Sequence, residues 1–252
     1  MNWYTIHYAA TNPIERLTAG LCRQAFDIIR INVIERKQYI NMEFQLFPKT
    51  DILNSILPER IRNRLSEVFL GMYLIIKFPQ KMVDEFYTHG MAGLTHDDQG
   101  FLLINVDLKR SFSERDYRDF YNKLQFTIRH ELEHFVQIMI KENTNERESA
   151  PNFNRATSYN DLWDKVQSYY LNPSELEAFV TGFYYQAKKT KQPFKAVVSK
   201  YLYEEAKIMS TNFRIPVEEV YMFMRKVYDK YLAYAQQRYP NVNNKVPQQQ
   251  VA

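Results

Sequence analysis

Two of the chain's five histidines stand four residues apart in TIRHELEHFVQ (residues 127–137), and a glutamate directly follows the first. On an α-helix that spacing projects His130 and His134 from the same face. Two imidazoles so placed can share one Zn²⁺ at Zn–N distances of about 2.0–2.1 Å. Glu131 is turned from His130 by about 100°, too far round to coordinate and near enough to reach a water on the metal. H-E-x-x-H is the pattern in which zinc makes a water acidic and a glutamate takes its proton. The same stretch has an apolar side, because Leu124, Ile128, Leu132, Phe135 and Met139 recur at helical spacing. Arg129 and Glu133 form an i,i+4 pair expected to stand in water.

A catalytic zinc takes three protein ligands and leaves its fourth position to water. Cys22, His7, His89 and His96 are scattered along the chain. YYLNPSELEAFVTG (residues 169–182) is the better source, with Glu175 and Glu177 in the first turn of a helix expected to be capped by Ser174. The two carboxylates point differently. Ala178, Phe179 and Gly182 share the face of Glu175, whereas Val180, Thr181 and Tyr184 share that of Glu177. Small residues at 178 and 182 let this helix approach the histidine helix closely, which favours Glu175 as the third ligand over Glu177. Either carboxylate would also complement the helix dipole without any metal. Tyr169, Tyr170, Tyr184 and Tyr185 flank this helix, and His96 precedes a strand, but these are read as core or surface groups rather than catalytic ones. Asp161 or Asp164 could orient an imidazole from behind.

A strand, then a helix bearing HELEH, then a helix bearing ELEA resembles the gluzincin branch of the zincin-like metallopeptidases. YLNPSELEAF is also similar to zincin-like proteins encoded by bacteriophages and bacteria. The resemblance spans roughly residues 100–189, and Phe179 stands where some such proteins carry an Asp after the Ala. It implies a helix-rich α+β, zincin-like fold, with a small mixed sheet and the active-site helix in the N-terminal half and a helical C-terminal half. It further implies a Zn²⁺ cofactor held by His130, His134 and Glu175, with Glu131 as the base that activates water. The implied activity is hydrolysis of a protein or peptide substrate, whose extended backbone adds to an edge strand; FLLINVDL (residues 101–108) is the expected edge, the alternative being a wholly internal strand without substrate contact. Two other readings fit the same motifs: a catalytically silent structural or adaptor protein such as a virion component, and a regulatory peptidase dedicated to one partner.

The elements that must position these groups follow from periodicity. TNP followed by IERLTAGLCRQAFDIIRINVIERK predicts a helix begun by Asn12 and Pro13, with Cys22 in its apolar stripe. INMEFQLF and YLIIKF read as strands, and PERIRNRLSEVFLGM as a helix. THGMAGLTHDDQG carries three of the six glycines and reads as a loop. SFSERDYRDFYNKLQFTIRHELEHFVQIMIKEN predicts one long helix with a serine cap, and two more helices are expected over residues 193–210 and 216–239. The domain reading is 1–95 for the N-terminal helix-and-strand part, 96–240 for the catalytic core and C-terminal helices, and 241–252 for a disordered tail.

Composition narrows the partners. A formal net charge of +4 comes from Lys and Arg interleaved with Asp and Glu, so no nucleic acid is expected. No apolar run approaches the roughly 20 residues of a membrane span. The first residues lack a basic start and an apolar core, so no signal peptide is apparent. With the single cysteine, Cys22, this leads to a cytoplasmic expectation.

Overall fold

Asn12 and Pro13 start the first helix as their types dictate. The Asn12 side chain accepts from the Ile14 backbone N–H at 3.1 Å, and Pro13 occupies the first turn, where a missing N–H costs nothing. The computed structural model describes residues 12–64, 67, 69–81, 84–97, 99–140 and 159–241. His7, the polar stretch TNERESAPNFNRATS (residues 144–158), which the sequence marks as an exposed loop, and nearly all of the expected tail lie outside the described residues. The chain divides into two compact units, Met1–Thr144 and Asn145–Ala252. The first runs past residue 95 because the strands on either side of that point pair with one another.

In the first unit, α1 (Pro13–Ile29) buries Leu17, Leu21, Cys22, Ala25 and Ile29 and runs into a π-helical turn, Arg30–Glu35. Next come β1 (Met42–Leu46), α2 (Thr50–Ile56), α3 (Glu59–Arg62), β2 (Phe69–Lys77), β3 (Phe86–Leu94), β4 (Gly100–Leu108) and α4 (Tyr117–Ile140). The strands form a mixed sheet in the order β1-β2-β4-β3. β1 is antiparallel to β2, β2 parallel to β4, and β4 antiparallel to β3. Inward-facing Met72, Leu74, Ile76, Leu102, Ile104, Val106 and Leu108 pack with the buried stripes of α1 and α4 into one core. Ser113 opens the run into α4 with a capping box, its backbone N–H donating to Asp116 at 2.9 Å.

Three expectations need correction here. FLLINVDL is β4, and it is an interior strand rather than an edge. Its nearly unbroken apolar run belongs to a strand flanked on both sides. The loop expected over THGMAGLTHDDQG is largely β3, a nine-residue strand at the edge of the sheet. Its glycines serve close approach, not turning: a Cβ on Gly93 would meet the Phe101 ring at 2.9 Å. The helix expected over PERIRNRLSEVFLGM begins with the short α3 and Glu67 is helical too, but it does not reach the end of that stretch, because Phe69 to Met72 join β2. That strand begins with a register break at Phe69/Gly71, where Gly71 has φ 155°, a conformation left to glycine.

The second unit is helical: α5 (Tyr159–Leu171), α6 (Pro173–Thr190), α7 (Phe194–Phe213) and α8 (Val217–Arg238). Its centre is aromatic. Phe179 and Phe183 of α6 meet Tyr201 of α7 and Tyr231 of α8 at ring separations of 5.0–5.8 Å. Trp163 stacks on Phe223 at 4.2 Å, tying α5 to α8. The cap of α6 is Asn172, not Ser174 as expected: Asn172 Oδ1 accepts from the Ser174 N–H at 2.9 Å and from its hydroxyl at 2.7 Å. The proline between them takes the first helical position, which moves the cap two residues earlier. Asn172→Ala is expected to lower stability by about 1 kcal/mol, seen as a lower midpoint in urea unfolding with an unchanged slope.

The chain is therefore α+β, a four-stranded mixed sheet covered by helices, followed by a helical unit. Among the described residues no helix is long and apolar enough to cross a membrane.

Candidate metal centre

Helix α4 presents different chemistry on each side, and its neighbours in the first unit account for two of them. Leu124, Ile128, Leu132, Phe135 and Met139 form the expected buried stripe. A second stripe, Thr127 and Glu131, lies against β3. The Thr88 and Thr127 hydroxyls hydrogen-bond at 2.9 Å, pinning the helix to the edge strand. One turn on, Glu131 passes over Gly90. A Cβ built there would lie 2.2 Å from Glu131 Cγ, 2.7 Å from Cδ and 2.9 Å from Oε1. Only a residue without a side chain leaves Glu131 its place.

The histidines occupy the next stripe. His130 Nε2 and His134 Nε2 are 3.1 Å apart, with ring centroids at 4.7 Å and planes at 78°. Two nitrogens bonded to one tetrahedral zinc at about 2.0–2.1 Å are separated by about 3.3 Å. The pair therefore fits a shared ion. His134 Nδ1 lies 3.2 Å from Gln137 Oε1. With Nδ1 donating there, the Nε2 lone pair is the one turned toward His130, the arrangement that fixes the tautomer of a ligating imidazole. His130 is buried and packs its ring against Phe126 at 5.9 Å. Glu131 Oε1 stands 3.9 Å from His130 Nε2, beside the pair without belonging to it. Glu131 is itself buried, at 7% exposure.

The Arg129–Glu133 pair is present, with Arg129 Nη2 donating to Glu133 Oε2 at 2.8 Å. It does not stand in water, however: the two residues are 5% and 8% exposed. An i,i+4 pair reads identically in sequence whether its face is wet or covered.

In the second unit, Glu175 sits in the first turn of α6, half-buried, with Ala178 and Gly182 on its face fully buried. Glu177 is engaged elsewhere within that unit, in an ion pair with Arg238, which also reaches the Tyr234 hydroxyl at 3.3 Å. Its carboxylate therefore has a structural role of its own.

The remaining sequence candidates each have surroundings of their own. Cys22 is buried in α1. His89 follows the strand alternation onto the sheet face opposite Gly90. There, burial lowers the pKa of its imidazole, opposed by Asp107 and aided by Lys77. His96 is exposed beyond the end of β3. Asp161 pairs with Lys165 at 2.8 Å and Asp164 is exposed. Tyr170 and Tyr185 are buried, and Tyr184 stacks on Tyr239 at 3.9 Å.

The sequence reading missed Gly90, Gln137 and Arg238. A glycine inside an otherwise strand-like run was the available signal for the first. Nothing local announces Arg238, which lies 61 residues from Glu177. No protein-family model, curated protein or solved structure matches the chain.

Proposed function

We propose that the chain is a zinc-dependent metallopeptidase of gluzincin type, built on a zincin-like fold. The observation that carries this reading is the convergence of His130 Nε2 and His134 Nε2 at 3.1 Å, with Glu131 seated over Gly90 beside them. Zinc would be held by His130, His134 and Glu175, through an imidazole nitrogen of each histidine and a carboxylate oxygen of the glutamate. The engagement of Glu177 with Arg238 supports Glu175 as the third member.

Zinc bound there supplies the Lewis acidity that lowers the pKa of a water into the neutral range. Everything else is the work of this chain's residues. Glu131 is fixed on one side by its helix and on the other by the β3 backbone, so its carboxylate has little freedom to turn away. It accepts the proton of the attacking water and returns it to the leaving amine as the peptide bond breaks. The substrate is an extended protein or peptide segment, which adds to the sheet at β3, the antiparallel edge strand beside Glu131. Main-chain hydrogen bonds along that edge bring the scissile carbonyl to the carboxylate whatever the side chains.

Metal content tests the ligand set. Wild type and Glu177→Ala are expected to carry one zinc per chain, and Glu175→Ala well below one after dialysis against a mild chelator. Full occupancy in Glu175→Ala, or loss confined to Glu177→Ala, would refute the assignment.

A further inference from the structure

The edge strand β3 lacks the charges and prolines that ordinarily keep such a strand from pairing with another chain. Its sequence, FYTHGMAGL, includes no Lys, Arg, Asp or Glu and no proline, whereas the shorter edge strand β1 carries Glu43. Which of its amides are open follows from the ends of its ladder with β4. The Lys109 N–H donates to the Glu85 carbonyl and the Thr95 N–H to the Gln99 carbonyl, both at 2.9 Å. Between these two pairs the register is unbroken, so the odd-numbered residues turn their amides toward β4. The N–H and C=O groups of Thr88, Gly90 and Ala92 therefore face the open side, with Gly90 central and in contact with Glu131.

The side chains divide in the other sense. Tyr87, His89 and Met91 stand on the sheet face opposite Glu131. Tyr87 and Met91 are large hydrophobic side chains left exposed, at 39% and 49%. Met91 lies across from Leu103, which in turn lies across from Tyr73. One pair further on, the Phe101 ring covers Gly93. Met91 thus ends an apolar row that runs across the sheet to its open side. On the other side of Gly90 the rows are polar: His89 lies across from Asn105, and Asp107 from Lys77.

We propose that Met91 is a specificity-determining residue, selecting a peptide substrate with a large apolar side chain (Leu, Met or Phe) at the position that stands beside it. This rests on the metallopeptidase reading above, in which the substrate adds to β3. A segment paired with Gly90 places one residue beside Glu131, and the two neighbours of that residue then point to the outer face, next to His89 and Met91. Main-chain pairing accepts any sequence, so the alternate side chains supply the choice. Cross-strand neighbours on one face stand about 4.5–5.5 Å apart at Cβ, close enough for an apolar pair to exclude water between them. The surface of Met91, Leu103 and Phe101 gives an apolar side chain contact along its length and gives a charged one no opposite charge.

The test is cleavage of a peptide library by wild type and by methionine variants, with the products sequenced around each cut. Wild type is expected to favour Leu, Met or Phe at one fixed position close to the cleaved bond. Met91→Glu is expected to move the preference at that position alone to Lys and Arg, and Met91→Lys to Asp and Glu, each by about 10-fold in kcat/KM relative to Leu. Zinc content is expected to stay as in wild type, because position 91 faces away from Glu131. Met222→Glu, which charges the more exposed methionine of α8, is expected to leave the whole profile unchanged. An unchanged profile in both Met91 variants would overturn the proposal. So would a shift that Met222→Glu reproduces, or Met91 variants that lose zinc, since the methionine would then be structural. A zinc-loaded wild type that cuts nothing would refute the metallopeptidase reading itself, a failure visible without any variant.

Discussion

Replacing Glu131 by glutamine is expected to leave zinc content unchanged and to lower kcat/KM for peptide hydrolysis by about 10²–10⁴-fold. The two side chains have nearly the same shape, so the amide keeps the seat over Gly90 and the burial that Glu131 has. It cannot accept a proton. The His130 and His134 nitrogens, which converge independently of residue 131, keep their geometry. Loss of turnover with retained metal is therefore specific to a base. Loss of both would mean that Glu131 supports the histidines rather than the reaction, and full activity would remove it from the chemistry.

The second large effect belongs to a residue with no functional group. A methyl group at position 90 would lie 2.2 Å from Glu131 Cγ, far inside van der Waals contact. The φ of Gly90 is not among the positive values, so alanine is tolerable to the backbone. The strain falls on Glu131. Its Cγ lies close to the helix and cannot simply swing clear as the end of a long side chain would, so the carboxylate must be displaced. Misplacing a catalytic group by about 1 Å can cost about 10²-fold in rate. Gly90→Ala is thus expected to lose about 10²-fold in kcat/KM, to keep zinc, and to lose about 1–3 kcal/mol of stability through overpacking. Because both changes act through one carboxylate, adding Gly90→Ala to Glu131→Gln should lower activity little further. Full additivity of the two losses would show that Gly90 acts elsewhere.

The residues proposed for the site were marked out in the sequence by type and spacing, whereas much of the frame around them was not. The buried stripe of α4 could be read from spacing alone, because Leu124 through Met139 recur on one helical face. Asn12 and Pro13 marked the start of α1 through local hydrogen bonding. β3 escaped because the signs of a turn and of close contact are the same residue, glycine: Gly90 and Gly93 make room for Glu131 and Phe101. β4 was recognised as a strand and misplaced as an edge, because strand order depends on pairings 30 or so residues apart, such as Ile75 with Asn105. Helix α5 went unread, and the burial of Arg129 and Glu133 depends on what covers a face, which periodicity does not report. The choice of Glu175 over Glu177 rested on small neighbours in the sequence. The structure adds a separate reason, the Arg238 ion pair of Glu177.

The central claim is metal-dependent peptide hydrolysis. Its most direct measurement is cleavage of a peptide library by the wild-type protein as purified, after removal of metal by a chelator, and after restoration with one equivalent of zinc. The account predicts cleavage by the zinc-loaded protein, its loss on chelation and its return with zinc. Cleavage that survives chelation, or zinc-loaded protein that cuts nothing in the library, would contradict it.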